Sequence, residues 1–323
     1  MFRRSSALSI VGLTTVALAV SACGSNTLDS GNSSSSTASS PTSSSTNASS
    51  DSGSSSSSTS AAGGVDAALA AKVPAAIKSA GKIVVGTDAS YAPNEYLGSD
   101  GKTPEGMDMD LFSAVAAKFG LKAEYQNAKF DTIILGVNAG KFDAGVSSFT
   151  INADRMKQVN MISYFNAGTQ WAVAKGNPDK VDPENACGLT IGVQKGTVQV
   201  DDLNARSKKC TDAGKDAIKI VQDDLQSNVT AGVVAGKTVA MLADSPITAY
   251  AVGQTAGKVE LLGDVYDAAP YGFVVPKDGT DFAQAIADAL KAMAADGSYK
   301  AVLDKWANGG GAITDFAVNP SAG

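Results

Sequence analysis

The sequence predicts an α/β protein whose folded part is built from two similar units, each a mostly parallel sheet flanked by helices. Three observations carry this. From Lys82 onward, short β-branched runs alternate with longer segments whose apolar residues recur at helical spacing. Near Cys187 the alternation begins again as a second set of similar elements. Glycines close the helical stripes at Gly120, Gly140 and Gly297, where a left-handed terminus is expected.

In chain order, Lys82–Gly86 (KIVVG) reads as a buried strand that ends in a loop holding Asp88. Asp108 to Phe119 carries Leu111, Phe112, Val115 and Phe119 on one helical face. Lys122–Gln126 is a strand, and Asp131 is placed to cap a helix containing Ile133, Ile134 and Val137. Asp143–Val146 is a strand, Asn152–Gln158 a short helix, and Trp171–Lys175 extended. The second set begins with a strand at Leu189–Val193, then the loop Gln194-Lys195-Gly196-Thr197 and a helix over Val200–Lys208. Ile218–Val221, Leu225–Ala235 and Thr238–Leu242 read as strand, helix and strand. Asp244-Ser245-Pro246 opens a further helix, with the proline suited to its first turn. Tyr271–Pro276 is a strand, and helices follow over Phe282–Ala295 and Tyr299–Trp306, elements that could return to the first unit.

Composition excludes several chemistries. None of the 323 residues is histidine, so neither a Ser-His-Asp or Cys-His nucleophile system nor an imidazole zinc site can be built. Any proton transfer would fall to carboxylates, Lys or Tyr. The 26 basic and 32 acidic residues give a net charge of −6, with no clustered basic surface for nucleic acid. The length alone allows about two domains of roughly 150 residues.

The first segment is for targeting. Arg3 and Arg4 precede an apolar run from Ala7 to Val20 and then small residues, the order of a secretory signal. The run is shorter than the roughly 20 residues a spanning helix needs. Val20-Ser21-Ala22-Cys23 resembles the bacterial lipobox, which makes residues 1–22 a lipoprotein signal peptide and Cys23 the lipid-bearing new N-terminus; the alternative is an ordinary signal cut nearby. Cleavage removes two basic residues and no acids, leaving a net charge of −8. Residues 23–64 then form the anchor and a tether: Gly24–Gly64 holds 20 Ser and five Thr but only one large apolar residue, Leu28, so it is expected to stay disordered. A flexible chain of that length spans about 35 Å root-mean-square. An exported chain also gives Cys187 and Cys210 an oxidising compartment, where they are expected to pair and close a loop worth about 3 kcal/mol; two separate thiols are the alternative.

Ligands of α/β sheets bind beyond the carboxyl ends of the strands. Asp88, Tyr91, Phe130, Ser148, Thr150, Arg155, Thr197 and Asp244 all fall in or near such loops. Arg155 follows the turn Ser147-Ser148-Phe149-Thr150, a setting suited to bidentate capture of a carboxylate, although a single Arg there is more often a solvated helix residue. Asp244 can be a ligand contact or a helix cap.

Five fragments in order resemble the family 3, polar amino acid, substrate-binding proteins of bacterial ABC importers. They are VVGTDASYAPNEYL (84–97), GMDMDLFSAVAAKFGL (106–121), FDTIILGVNAGKFDAGVSSFTINADR (130–155), IGVQKGT (191–197) and VAMLADSPITAY (239–250). The resemblance covers roughly 75–310. It implies a two-lobed periplasmic-binding-protein-like fold of type II joined by a two-strand hinge, with lobe 1 at 65–175 and 268–318 and lobe 2 at 176–267. It implies a clamp that closes on one free L-amino acid, with no catalytic residue, cofactor or metal. Arg155 then takes the ligand α-carboxylate, assisted by Ser148 and Thr150 and by N–H groups around Thr197 and Val198. Asp244 takes the α-ammonium, and Asp88, Tyr91 and Phe130 line the ligand side chain.

Glutamine-binding relatives often have Lys where this chain has Gln194 and His where it has Ala243. Asp88 would accept from an amide or pair with a cation and would repel a carboxylate, which ranks glutamine and the basic amino acids ahead of glutamate. The implied protein is a monomer, anchored by lipid to the outer face of the cytoplasmic membrane, with ABC permease subunits as partners. Two other readings remain open at this point: a surface amino-acid sensor, or a dehydratase on the same fold.

Overall fold

The computed structural model describes residues 64–321; the expected signal peptide, Cys23 and nearly all of the serine-rich tether lie outside the described residues. Helices α1 (Ala67–Lys72) and α2 (Ala75–Ala80) lead into β1 (Lys82–Thr87). A small antiparallel sheet of β2 (Ser90–Tyr91), β3 (Glu95–Leu97) and β4 (Pro104–Glu105) follows. The first unit continues with α3 (Met107–Lys118), β5 (Lys122–Asn127), α4 (Phe130–Asn138), β6 (Ala144–Thr150), α5 (Ala153–Gln158) and β7 (Val159–Ala174). The second contains β8 (Thr190–Gln194), α6 (Val198–Asp212), β9 (Lys219–Asp223), α7 (Gln226–Val234), β10 (Ala240–Asp244) and α8 (Ser245–Gln254). The chain returns through β11 (Val259–Pro276) to α9 (Thr280–Asp296) and α10 (Ser298–Lys305).

Hydrogen bonding runs unbroken through eight strands in the order β5-β1-β6-β11-β7-β10-β8-β9. Within it, β5, β1 and β6 are parallel and are completed by antiparallel β11. Likewise β9, β8 and β10 are parallel and are completed by antiparallel β7. The long strands β7 and β11 pair with each other along their length and pass from one unit into the other. Two lobes therefore share a two-stranded ribbon. One core gathers Ile83, Phe112, Tyr164, Tyr271, Phe273 and the buried face of α9. The other gathers Trp171, Ile191, Val193, Leu203 and Leu242.

The structure corrects the sequence expectations in three places. The extended segments expected at Trp171–Lys175 and Tyr271–Pro276 are the ends of strands of 16 and 18 residues. Residues 159–165 are buried on both faces, so they show none of the alternation that marks a half-buried strand. The crossing from the first core to the second lies between Ala167 and Trp171, so Trp171 and Val173 pack in lobe 2 although the sequence division placed them in lobe 1. Finally, Asp131 does not cap α4. The helix begins at Phe130, and the carboxylate that accepts from the Phe130 N–H is Asp88, at 3.0 Å.

Cys187 and Cys210 form a disulfide across 23 residues, between the loop before β8 and the end of α6. Closing such a loop restricts the unfolded chain by about 3 kcal/mol. The double substitution Cys187→Ser with Cys210→Ser is expected to lower unfolding free energy by that order in urea titration while leaving the circular dichroism of the fold unchanged.

Candidate functional site

Ten side chains converge where the two lobes meet. From lobe 1 come Tyr91 of β2, Phe130 at the start of α4, Ser148 and Thr150 at the end of β6, and Arg155 of α5. From lobe 2 come Gln194 at the end of β8, Thr197, Val198 and Gln199 at the start of α6, and Asp244 at the end of β10. Every contribution but Tyr91 sits at a strand's carboxyl end or in the helix turn that follows one, which is where an α/β sheet leaves side chains and backbone groups free to meet a ligand. The cavity they enclose measures about 10 Å³, room for a single water, so the lobes are closed onto one another.

Arg155 is buried, held by the turn that precedes it. Asn152 caps α5 by accepting from the Arg155 N–H at 2.8 Å, and the Arg155 Nη1 donates to the Thr150 carbonyl at 2.7 Å. Its guanidinium lies 5.4 Å and 5.5 Å from the ring centres of Phe130 and Phe149, which stack on each other at 4.7 Å. Burial pushes the guanidinium down to about 10, which still leaves it charged at neutral pH. Across the cleft, Nη2 reaches only a neutral acceptor, the Gly196 carbonyl at 3.1 Å. Gly196 has φ +80°, and a Cβ there would stand 2.8 Å from Asp131 Cβ, so glycine lets this loop approach lobe 1.

Asp244 faces Arg155's side of the cleft from lobe 2. Its side chain does not cap α8. Oδ2 accepts from the hydroxyls of Tyr91 at 2.9 Å and Tyr271 at 2.7 Å, and Oδ1 accepts from Gln199 Nε2 at 2.7 Å. Burial raises its pKa, against the lowering effect of those three hydrogen bonds and of Arg155. The N-terminus of the 15-residue helix α6 opens onto the same space, and Thr197 provides no side-chain cap because its hydroxyl donates to the Gln194 carbonyl at 2.8 Å. Uncapped N–H groups at a helix start favour an anion.

Of the positions the sequence singled out, Tyr91, Phe130, Ser148, Thr150, Arg155, Thr197, Val198 and Asp244 line this cavity. Asp88 does not. It lies behind the wall at 1% exposure, accepting from Ser90 N–H, Ser90 Oγ, the Phe130 N–H and Gln194 Nε2. Gln199 and Tyr271, which bond Asp244, were not foreseen. Gln199 lies two residues beyond the Gly-Thr loop, but a glutamine near a helix start is usually solvated, and Tyr271 is hidden inside a lobe-crossing strand.

Further contacts cross the cleft mouth. Lys129 of lobe 1 pairs with Asp224 of lobe 2 at 2.5 Å, and Lys195 of lobe 2 pairs with Asp131 of lobe 1 at 2.7 Å. Ser90 Oγ accepts from the Gln226 N–H at 3.0 Å. Each lobe thus presents one cation and one anion to its counterpart beside the site.

The model of a family described as bacterial extracellular solute-binding proteins, family 3, matches residues 83–309. The arginine-binding protein ArgT of Corynebacterium glutamicum is 36% identical over 250 residues, spanning 77% of this chain and 82% of that protein. Among solved structures, an ancestral arginine-binding protein bound to arginine is similar with a TM-score of 0.65 and 32% identity, over 70% of this chain and 98% of that one. The same TM-score, 0.65, with 30% identity over 71% of this chain and 98% of the other, relates it to an ancestral arginine-binding protein bound to glutamine. The two-lobed architecture is therefore the periplasmic-binding-protein-like fold, and the chain belongs to the bacterial extracellular solute-binding proteins of family 3.

Proposed function

We propose that the protein captures a free L-amino acid, a basic one or glutamine and arginine first among them, between its lobes and delivers it to an ABC importer. The observation that carries this reading is the pair of buried, opposite charges, Arg155 and Asp244, contributed by different lobes to one cleft. A zwitterion taken from water needs a cation, an anion and several donors converging on it, or its desolvation goes uncompensated. Arg155, the α6 N–H groups, Ser148 and Thr150 suit the carboxylate; Asp244 with its tyrosine and glutamine partners suits the ammonium. The relatives' ligands, arginine and glutamine, support a polar amino acid with a donor-bearing side chain as the ligand here. The reading is one of capture and release of an unchanged molecule.

A cavity of about 10 Å³ admits no amino acid, so entry requires the lobes to part, and β7 and β11 are the strands that must flex. Their pairing is interrupted by register shifts between Leu262 and Tyr266 and between Tyr266 and Ala269. At the same place Gly168 lets β7 pass so close that a Cβ would stand 2.6 Å from the Tyr266 carbonyl. A ligand carboxylate would replace the Gly196 carbonyl as partner of Arg155 with a charge-assisted bond, about twice as strong as a neutral one. Because the ligand touches both lobes only when they are shut, its binding shifts the population toward closure.

The site is proposed to work outside the cytoplasmic membrane, tethered through a lipid on Cys23; no helix among the described residues is long and apolar enough to cross a membrane.

Four outcomes are expected. Thermal-shift screening of the twenty amino acids will raise the melting point with arginine or glutamine at the top, and calorimetry on Arg155→Ala will show affinity for that ligand reduced by about 2–5 kcal/mol. Unchanged affinity in a folded variant would contradict the reading. Replacing Asp131 and Asp224 together by Asn will weaken the same affinity by about 0.4–2 kcal/mol, from two exposed pairs, and will flatten its dependence on salt. Cys23→Ser will release the protein from the cell surface into the medium and abolish incorporation of labelled fatty acid; retention of both would refute the anchor.

A further inference from the structure

Directly behind the binding turn lies a pair of acids that no cation faces. Glu95 of β3 and Asp108 of α3 are both fully buried. The ion pairs among the described residues involve neither. The ionisable groups around them are Asp88 on the loop after β1, Tyr91 of β2 and Tyr164 of β7, with Asp110 of α3 and Tyr125 of β5 beyond Asp108. None is basic. Nor is any group of Asp, Glu and Cys among the described residues arranged to hold a metal ion.

Both acids meet at Ser148. Its Oγ lies 3.2 Å from Glu95 Oε2 and 3.4 Å from Asp108 Oδ2, and it accepts from Asn94 Nδ2 at 3.0 Å. The Ser148 N–H donates to Asp108 Oδ2 at 3.0 Å, and the Tyr164 hydroxyl donates to the same oxygen. Ser147 Oγ donates to Glu95 Oε1 at 3.3 Å and accepts from the Asp88 N–H at 3.0 Å. A serine hydroxyl has one proton, so it cannot donate to two carboxylates at once. With a proton on Glu95 Oε2 each contact at Ser148 Oγ is satisfied in one direction: Glu95 and Asn94 donate to it, and it donates to Asp108 Oδ2, while Asp108 Oδ1 has no partner. Two buried carboxylates held this close, without a cation, resist double ionisation in any case.

The arrangement is rigidly built. The Asp108 N–H donates to the Asn94 carbonyl at 3.0 Å, and a Cβ on Gly106 would stand 2.1 Å from that carbonyl oxygen, so only glycine lets β3 and α3 lie this close. Ser148 itself takes a left-handed conformation, φ +48°, that serine seldom adopts without such support.

We propose that Glu95 is held as the neutral acid and acts as a positioning residue, which together with ionised Asp108 clamps Ser148 in the left-handed turn it presents to the ligand. The inference rests on Ser148 being a ligand contact, but the proton itself does not, which separates the two in the test. Burial and the Asp108 charge raise the Glu95 pKa well above its ordinary value. A raised acid in the native state binds more protons than the unfolded chain above the ordinary glutamate range, so its stabilising contribution is complete at low pH and is lost as pH rises toward the native titration.

The experiment compares wild type with Glu95→Gln, an isostere of the neutral acid. Infrared spectra of the ligand-free wild type at neutral pH should show a protonated carboxyl C=O band that disappears in Glu95→Gln; no such band in the wild type overturns the proposal, whether or not the variant folds. Melting temperature should fall more steeply for wild type than for Glu95→Gln as pH rises, and parallel profiles overturn it. Affinity for arginine, or glutamine if it binds better, should match in the two proteins at acidic pH. It should then drop for wild type relative to the variant by about tenfold or more once the pair loses its proton, since one pKa unit of coupling is a factor of ten. The ratio cancels the ligand's own titration. An infrared band and divergent stability profiles with equal affinities at every pH would leave the proton in place but overturn the positioning role. Failure of every amino acid to bind either protein would reject the proposed function and, with it, the positioning role, while the infrared and stability outcomes still decide the proton.

Discussion

Arg155 is a guanidinium buried in one lobe with no carboxylate of its own lobe beside it. Two of its five donors reach backbone carbonyls, one of them across the cleft, and its faces lie against two phenyl rings. A buried cation held by neutral groups alone is stabilised less than one that meets an anion. Much of the surrounding structure follows from that shortfall. The strand-to-helix turn from Ser148 to Arg155 fixes the cation at the lip of lobe 1, and the opposite lip carries Asp244 and the open N-terminus of α6. The ribbon of β7 and β11 then sets how these halves can approach. Recognition is divided between bodies that must meet for it to be complete.

The same division explains which parts were legible in the sequence. Helices with a clear apolar stripe, such as α3 and α9, and strands bounded by glycine or aspartate were readable because local periodicity matches local burial. The ribbon was expected only through the family resemblance and not from periodicity, because β7 is buried on both faces while passing from one core to the next, and the lobe 2 part of β11 is largely exposed and irregular. Strands of two or three residues, as in the small sheet near Tyr91, leave no period to find. Among site residues, Arg155 and Asp244 stood out as charges at strand ends, and the five ordered motifs gave them roles. Asp88 was expected to line the ligand side chain and instead holds the α4 N-terminus, a role that depends on a three-dimensional meeting between two loops. Gln199 and Tyr271 were missed for a related reason: neither residue type signals a function until Asp244 is placed between them.

Polar groups in the interior are consistently arranged so that one side chain serves two purposes. Tyr91 bonds Asp244 across the cleft and belongs to the small sheet that also carries Glu95. Ser147 and Ser148 link the wall of the site to the acids behind it. Gln194 lines the cavity and reaches Asp88 and the Asp224 carbonyl. In a low-dielectric interior such shared hydrogen bonds make the loss of one member costly to its neighbours. The binding surface is therefore continuous with the packing that supports it.

Lobe 1, unlike lobe 2, is not a contiguous stretch of chain. The sheet that begins with β1 is completed by the second half of β11, and its core is closed by α9 and α10, all made after the whole of lobe 2. A chain that emerges amino terminus first could assemble lobe 2 before its own end appeared, because β7 through β10 are consecutive. Lobe 1 could not. It must wait, with the apolar faces of α3, β1 and β6 uncovered, until the final helices arrive, so the order of synthesis and the order of folding are reversed for the half of the protein that is translated first.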